Sequence, residues 1–312
     1  MQPLSTLLID PRSTDGLQLS GLLFPAESSH HPKTAIIYLH WNGSKGIFYA
    51  HEWNEIMSEV LGWEGIGYCT FNNRWAMLTT SLDVYDESGI VWKTNAGVWY
   101  EKIEDCVYDI DGVVDYLKNL GYERFFLMGK STGANKICVY HDILKKQWRD
   151  TPFAGYILLS WGDDVGLWYD DMGPELFQEV LLSAQKAIQE NRGEERPTIR
   201  RCFLEDFSYQ SAHDILNPEG PYNCFPLFEA FRERLGKKKL FEEFSWLDIP
   251  RLVMYGENDE YVRFPMNEVV KLLQSHNSNT DYQTIPGADH GFEGYEKILA
   301  ERILTWIKNI QN

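Results

Sequence analysis

Residues 129–133 read Gly-Lys-Ser-Thr-Gly. A serine between two glycines can serve as a nucleophile when it stands on a tight turn. The turn lifts its hydroxyl clear of the backbone, and the glycines let neighbouring chain pass without a Cβ clash. A serine hydroxyl is nevertheless a poor nucleophile at neutral pH. It needs a base within hydrogen-bond reach and a third group that orients the base. The chain offers both downstream. Asp259 lies in Tyr-Gly-Glu-Asn-Asp-Glu-Tyr-Val (255–262), and His290 in Gly-Ala-Asp-His-Gly-Phe (287–292). The order Ser131, Asp259, His290 differs from both common protease orders. Taken singly, Asp259 reads equally well as a turn residue, and seven other histidines compete with His290. The shared placement of all three, each just past an expected strand, favours a triad. Asp163 and Asp164 are the alternative orienting acids. Asp289 adjoins His290 in sequence, so its side chain should point elsewhere.

Attack on a carbonyl also needs N–H donors for the oxygen that becomes negative. The Thr132 amide, at the start of the helix after Ser131, is one candidate. The second should come from His40-Trp41-Asn42-Gly43, either Trp41 or Asn42. Lys130, just before the serine, reads first as a solvated side chain and second as a charge that would favour an anionic intermediate. Trp161, Trp168 and Tyr169 open an aromatic segment that either lines an acyl or alcohol pocket or packs a cap.

These residues need a scaffold. Apolar runs at 17–24, 34–40, 66–71, 124–128, 153–160, 249–256 and 281–285 alternate with helical spacing at 52–61, 98–120, 134–146, 264–273 and 295–310. Near-continuous apolar strands between helices predict an α/β fold with a mostly parallel sheet covered on both faces. The alternation breaks at 162–246, where helices are expected at 174–189 and 225–235 and no central strand is evident. The expected organisation is a core of 1–161 and 247–312 with a helical cap inserted at 162–246.

Bulk properties narrow the partners. The chain has 312 residues, 44% hydrophobic and 24% charged, and a net charge of −17. Such a charge repels phosphate backbones and anionic lipid, so neither nucleic acid nor membrane is an expected partner. It leaves a mild preference for neutral or cationic substrates. Five cysteines without a C-x-x-C pair fit a reducing compartment, and no secretion signal or spanning stretch is evident, so the expected location is cytoplasmic. There is no H-E-x-x-H, Walker A or G-x-G-x-x-G pattern, so no metal, nucleotide or other cofactor is implied.

The segments TAIIYLHWNG, FFLMGKSTGANK, RLVMYGENDEYV and IPGADHGF together resemble the α/β-hydrolase superfamily over nearly the whole chain. With Ile215-Leu-Asn-Pro-Glu-Gly, the elbow faintly resembles a branch that includes proteins similar to fungal siderophore esterases. The superfamily resemblance implies an acyl-enzyme route. Ser131 would attack, His290 would serve as base, Asp259 as its acid, and the Thr132 and Trp41 or Asn42 amides would hold the oxyanion. The leading expectation is cleavage of a carboxylic ester of a small or medium-sized molecule. A thioesterase, lactonase or amidase would use the same residues, and a non-catalytic ligand receptor is the reading from another class.

Overall fold

The computed structural model describes residues 5–26, 33–41, 43, 46–48, 50–197 and 207–310. Eight strands form the main sheet: β1 (Leu7–Ile9), β2 (Ser20–Phe24), β3 (Thr34–Leu39), β4 (Ile66–Asn72), β7 (Arg124–Lys130), β8 (Phe153–Leu159), β9 (Arg251–Gly256) and β10 (Asp281–Ile285). Their order is β1-β2-β4-β3-β7-β8-β9-β10. From β4 to β10 every pairing is parallel, and β1 and β2 add an antiparallel edge. The expected mostly parallel sheet is therefore present.

Period-2 alternation explains how one strand feeds two cores. In β7, Phe125 and Leu127 join one apolar cluster while Phe126 and Met128 join the other. The first cluster takes Ile110 and Val114 of α2 (Cys106–Asn119) and Ile137 of α3 (Thr132–Lys146). The second takes Met57 of α1 (His51–Gly62) and Ile303 of α10 (Glu296–Asn309). Helices thus cover both faces. Among the described residues no helix is long and apolar enough to cross a membrane.

Strand order reverses between β3 and β7, because β3 leads back to β4 on one side and β7 continues on the other. In open α/β sheets the crevice at the carboxyl ends of such a pair is where ligands bind. The loops after β3 and β7, which carry Trp41 and Ser131, open there.

Several elements differ from expectation. The 98–120 helix begins only at Cys106. Before it the chain makes two short 3₁₀ turns, Val98–Tyr100 and Ile103–Asp105, around extended Glu101 and Lys102. Glu101 is turned inward, fully buried, 3.6 Å from the Lys136 ammonium, and that contact interrupts the helix. The stretch before it forms an unforeseen hairpin, β5 (Thr80–Tyr85) with β6 (Val91–Ala96). The 225–235 helix shrinks to α7 (Leu227–Phe231), because the amides of Leu235 and Gly236 both turn onto the buried Glu229 carboxylate. Between β8 and β9 lie α4 (Asp164–Met172), α5 (Pro174–Gln189), α6 (Tyr209–Leu216), α7 and α8 (Glu242–Ser245), and no strand among the described residues. Val165, Phe177, Ile215 and Phe244 of these helices share the cluster that holds Ile137 of α3. After α9 (Met266–His276), β10 completes the sheet.

Candidate active site

Ser131 stands between β7 and α3 with φ 54° and ψ −128°. A positive φ is uncommon for a residue with a Cβ and persists only where the surroundings impose it. They do so here. The Ser131 amide donates to the Leu159 carbonyl at 2.9 Å, and its carbonyl accepts from the Ala134 amide at 2.8 Å. The two glycines of the motif have distinct steric reasons. A Cβ on Gly129 would lie 2.3 Å from the Gly133 carbonyl oxygen, and one on Gly133 would lie 2.3 Å from that of Leu39. The turn therefore exists only with glycine at both positions, and the serine between them is held at the mouth of the sheet. Thr132, buried, is the first residue of α3.

The loops after β9 and β10 pack backbone against backbone. The Asn258 amide donates to the Ala288 carbonyl at 2.8 Å, and a Cβ on Gly256 would sit 2.3 Å from the Asp289 oxygen. The His290 amide donates to Glu260 at 3.0 Å. This frame brings the His290 Nδ1 to 2.9 Å from Asp259 Oδ1, which also accepts from the Tyr261 amide at 3.1 Å. The Asp259 side chain is fully buried, and its Oδ2 has no partner. A carboxylate can only accept, so Nδ1 carries the proton and donates it. That tautomer leaves Nε2 as the ring's acceptor, the atom a base uses. The Tyr261 ring, 4.6 Å away between centroids, flanks the imidazole.

Ser131, Thr132 and His290 line one cavity of about 1130 Å3, together with Trp41, Lys130, Asp164 and Trp168. Asn42 lies outside the described residues. Trp161 is placed elsewhere. It is fully buried, stacked on Phe225 at 4.0 Å between ring centroids and edge-on to Phe244 and Tyr255. Tyr169 packs on Phe177 and Phe228, and its hydroxyl donates to Glu233 at 3.2 Å. Both aromatics hold the 162–246 segment together and do not border the cavity. Asp163, the other alternative acid, caps α4 by accepting from the Gly166 amide at 2.8 Å.

Lys130 is not the solvated side chain expected of it. It is 6% exposed, and its ammonium donates to the Gly291 carbonyl at 2.8 Å. The Trp41 and Trp53 rings lie 4.8 and 5.1 Å from the nitrogen. Burial pulls its pKa down to about 8, against the pull of Asp289 and Glu296. His40, at the end of β3, accepts from the Asn73 amide through Nε2 at 3.1 Å and donates through Nδ1 to the Trp41 carbonyl at 2.8 Å. Burial, chiefly, pushes its pKa to about 3, so it stays neutral and fixes the Trp41 loop.

Sequence reasoning missed three groups near the site: Tyr261, the Glu101–Lys136 pair, and Asp164 as a lining residue. For Asp164 the available signal was its four-residue offset from Trp168, which puts both on one helix face. Among the described residues no group of three His, Cys, Asp or Glu side chains is arranged to hold a metal.

Residues 96–308 match the family described as Protein of unknown function (DUF1749), more than half of the chain. The chain belongs to this family. No curated protein matches the sequence. Among solved structures, it is similar to an esterase from Exiguobacterium antarcticum, at 15% identity and a TM-score of 0.56 over 97% of this chain and 100% of that one. Est1E from Butyrivibrio proteoclasticus is similar at 15% identity and 0.56, covering 98% of each chain. The carboxylesterase CesB from Bacillus subtilis is similar at 13% and 0.52, covering 98% of this chain and 92% of that one. At such identities the likeness establishes the fold, and this member of the DUF1749 family has the α/β-hydrolase fold.

Proposed function

We propose that this protein is a serine hydrolase that cleaves a carboxylic ester of a small or medium-sized molecule through an acyl-enzyme. The observation that carries the reading is the 2.9 Å contact of His290 Nδ1 with buried Asp259, on a cavity shared with a serine held at positive φ. His290 Nε2 takes the Ser131 proton as Oγ attacks the ester carbonyl. Asp259 steadies the imidazolium that forms. The oxyanion is held by the Thr132 amide, at the positive end of α3, and by a second amide from Trp41 or Asn42. Collapse expels the alcohol, which takes its proton from His290. His290 then activates water, and the acid leaves. Segment 162–246 acts as the cap, since α4 contributes to the cavity wall. The esterase names of the similar structures, one of which is Est1E with ferulic acid bound, support an ester over an amide or thioester.

A fluorophosphonate probe tests the reading. The wild type should label, and Ser131→Ala should not. The alanine variant should also lose roughly 10⁴-fold or more in turnover of p-nitrophenyl esters. A folded wild type that neither labels nor turns over any of these esters would sink it.

A further inference from the structure

α4 turns a defined stripe toward the cavity. Asp164, Leu167, Trp168 and Asp171 all line it. Those positions follow the spacing of one helical face. Another face of the helix looks inward, with Val165 buried and Tyr169 packed on Phe177 and Phe228. The two acids of the stripe are not equivalent. Asp171 accepts from Arg263 at 2.6 Å. Asp164 has an Oδ2 shut off from solvent with no hydrogen-bond partner. Capping of the helix does not occupy it either, because its neighbour Asp163 does that and also accepts from the Phe228 amide at 2.6 Å.

Asp164 is half-buried and has no hydrogen-bond donor beyond its own backbone amide, so ionising its carboxyl is costly. The charges around Asp164 do not answer that cost. Of the cationic groups that act on it, His290 is held by Asp259, and the buried Lys136 ammonium lies 3.6 Å from Glu101, which is itself fully buried and acts on Asp164 with the same sign. Two carboxylates thus share one cation. The cavity's other cations are engaged as well. Lys130 donates to the Gly291 carbonyl, and Arg263 is spread over Asp170 and Asp171. Apart from histidines, the remaining charged lining groups are Glu52, Glu260, Asp289, Glu293 and Glu296, all acids.

We propose that α4 is the specificity wall of this site and that the favoured ester carries an organic ammonium, seated between the Asp164 carboxylate and the Trp168 ring. The inference rests on the serine-esterase reading above. A cation there supplies a counter-charge to the Asp164 carboxylate. The indole adds an attractive face for it. The overall charge of −17 draws cations toward the molecule. The same wall rejects an ester bearing a carboxylate, which would meet Asp164 with like charge.

Two isosteric pairs test this by kcat/KM. One is butyrylcholine against 3,3-dimethylbutyl butyrate, with the charge on the alcohol side. The other is methyl 4-(trimethylammonio)butanoate against methyl 5,5-dimethylhexanoate, with the charge on the acyl side. In at least one pair the wild type should prefer the cationic ester by about tenfold or more, the scale of a charge-assisted contact. Asp164→Asn should bring that ratio to near one, and Trp168→Leu should lower it by roughly two- to fivefold. Absence of a cationic preference in both pairs overturns the proposal, as does a preference that survives Asp164→Asn. If Asp164→Asn does not fold, the wild-type ratios and Trp168→Leu still decide. Phosphonylation of Ser131 is read separately: a protein that labels but shows no preference loses only the ammonium seat, whereas one that neither labels nor hydrolyses any of the four esters loses the esterase reading itself.

Discussion

Asp259 and Asp164 stand just beyond neighbouring strands, β9 and β8, and both act on His290, yet they are built differently. Asp259 Oδ1 receives two donors, the imidazole and the Tyr261 amide, from loops locked together by backbone hydrogen bonds. Asp164 receives none from another residue among those described, and burial pushes its pKa up to about 6. Each has an Oδ2 without a partner, but the first carboxylate is anchored through Oδ1 by donors from its own loops. The second is left to be completed by a ligand. A polar group whose partners are all internal positions something, whereas one that lacks them marks where a molecule from outside belongs.

The largest expected effect probes the anchored acid. Asp259→Asn should let the histidine settle in the wrong tautomer and cut kcat by roughly 10³–10⁴-fold. Circular dichroism should show the fold kept. A loss under tenfold would erase the difference between the two acids.

Next comes the pair behind Asp164. Lys136→Met leaves Glu101 buried with no cation, and should destabilise the protein by about 3–5 kcal/mol in urea unfolding. The smallest effect sharpens the contrast directly. Asp164→Asn removes a poorly satisfied charge and should raise Tm at pH 7 by roughly 2–4 °C. The sign follows from linkage. The folded pKa of about 6 exceeds the unfolded value, so the penalty grows as pH rises through that interval and is full above it. His290, Lys136 and Glu101 set the local field. The gain should therefore shrink by pH 4.5, and an equal gain at both pH values would assign it to packing.

The comparison also separates what the sequence discloses from what it withholds. Ser131, Asp259 and His290 are legible because each follows an apolar strand, and a parallel sheet gathers strand ends at one edge. The β5–β6 hairpin is not legible, since residues 80–96 are mostly exposed or half-buried and show no clean alternation. The premature helix at 98–120 fails for a different reason. Apolar spacing runs on through 98–105, but the inward turn of Glu101 toward Lys136, supplied from another helix, overrides it. Aromatic residue type is equally blind to placement: Trp161 stacks in the core while Trp168, one segment on, lines the cavity. Lys130 reads as a surface charge because its acceptor, the Gly291 carbonyl, lies far along the chain.

That last contact spans the site. The residue before the nucleophile holds the residue after the base, through an ammonium buried against two indoles. It works as a strut: the separation of Ser131 and His290 is set on the sheet side of the cavity, with no member drawn from the helices between β8 and β9. Rebuilding those helices for a different ester would leave this strut in place and reach the pair that cleaves it only through charges such as Asp164 that act on His290.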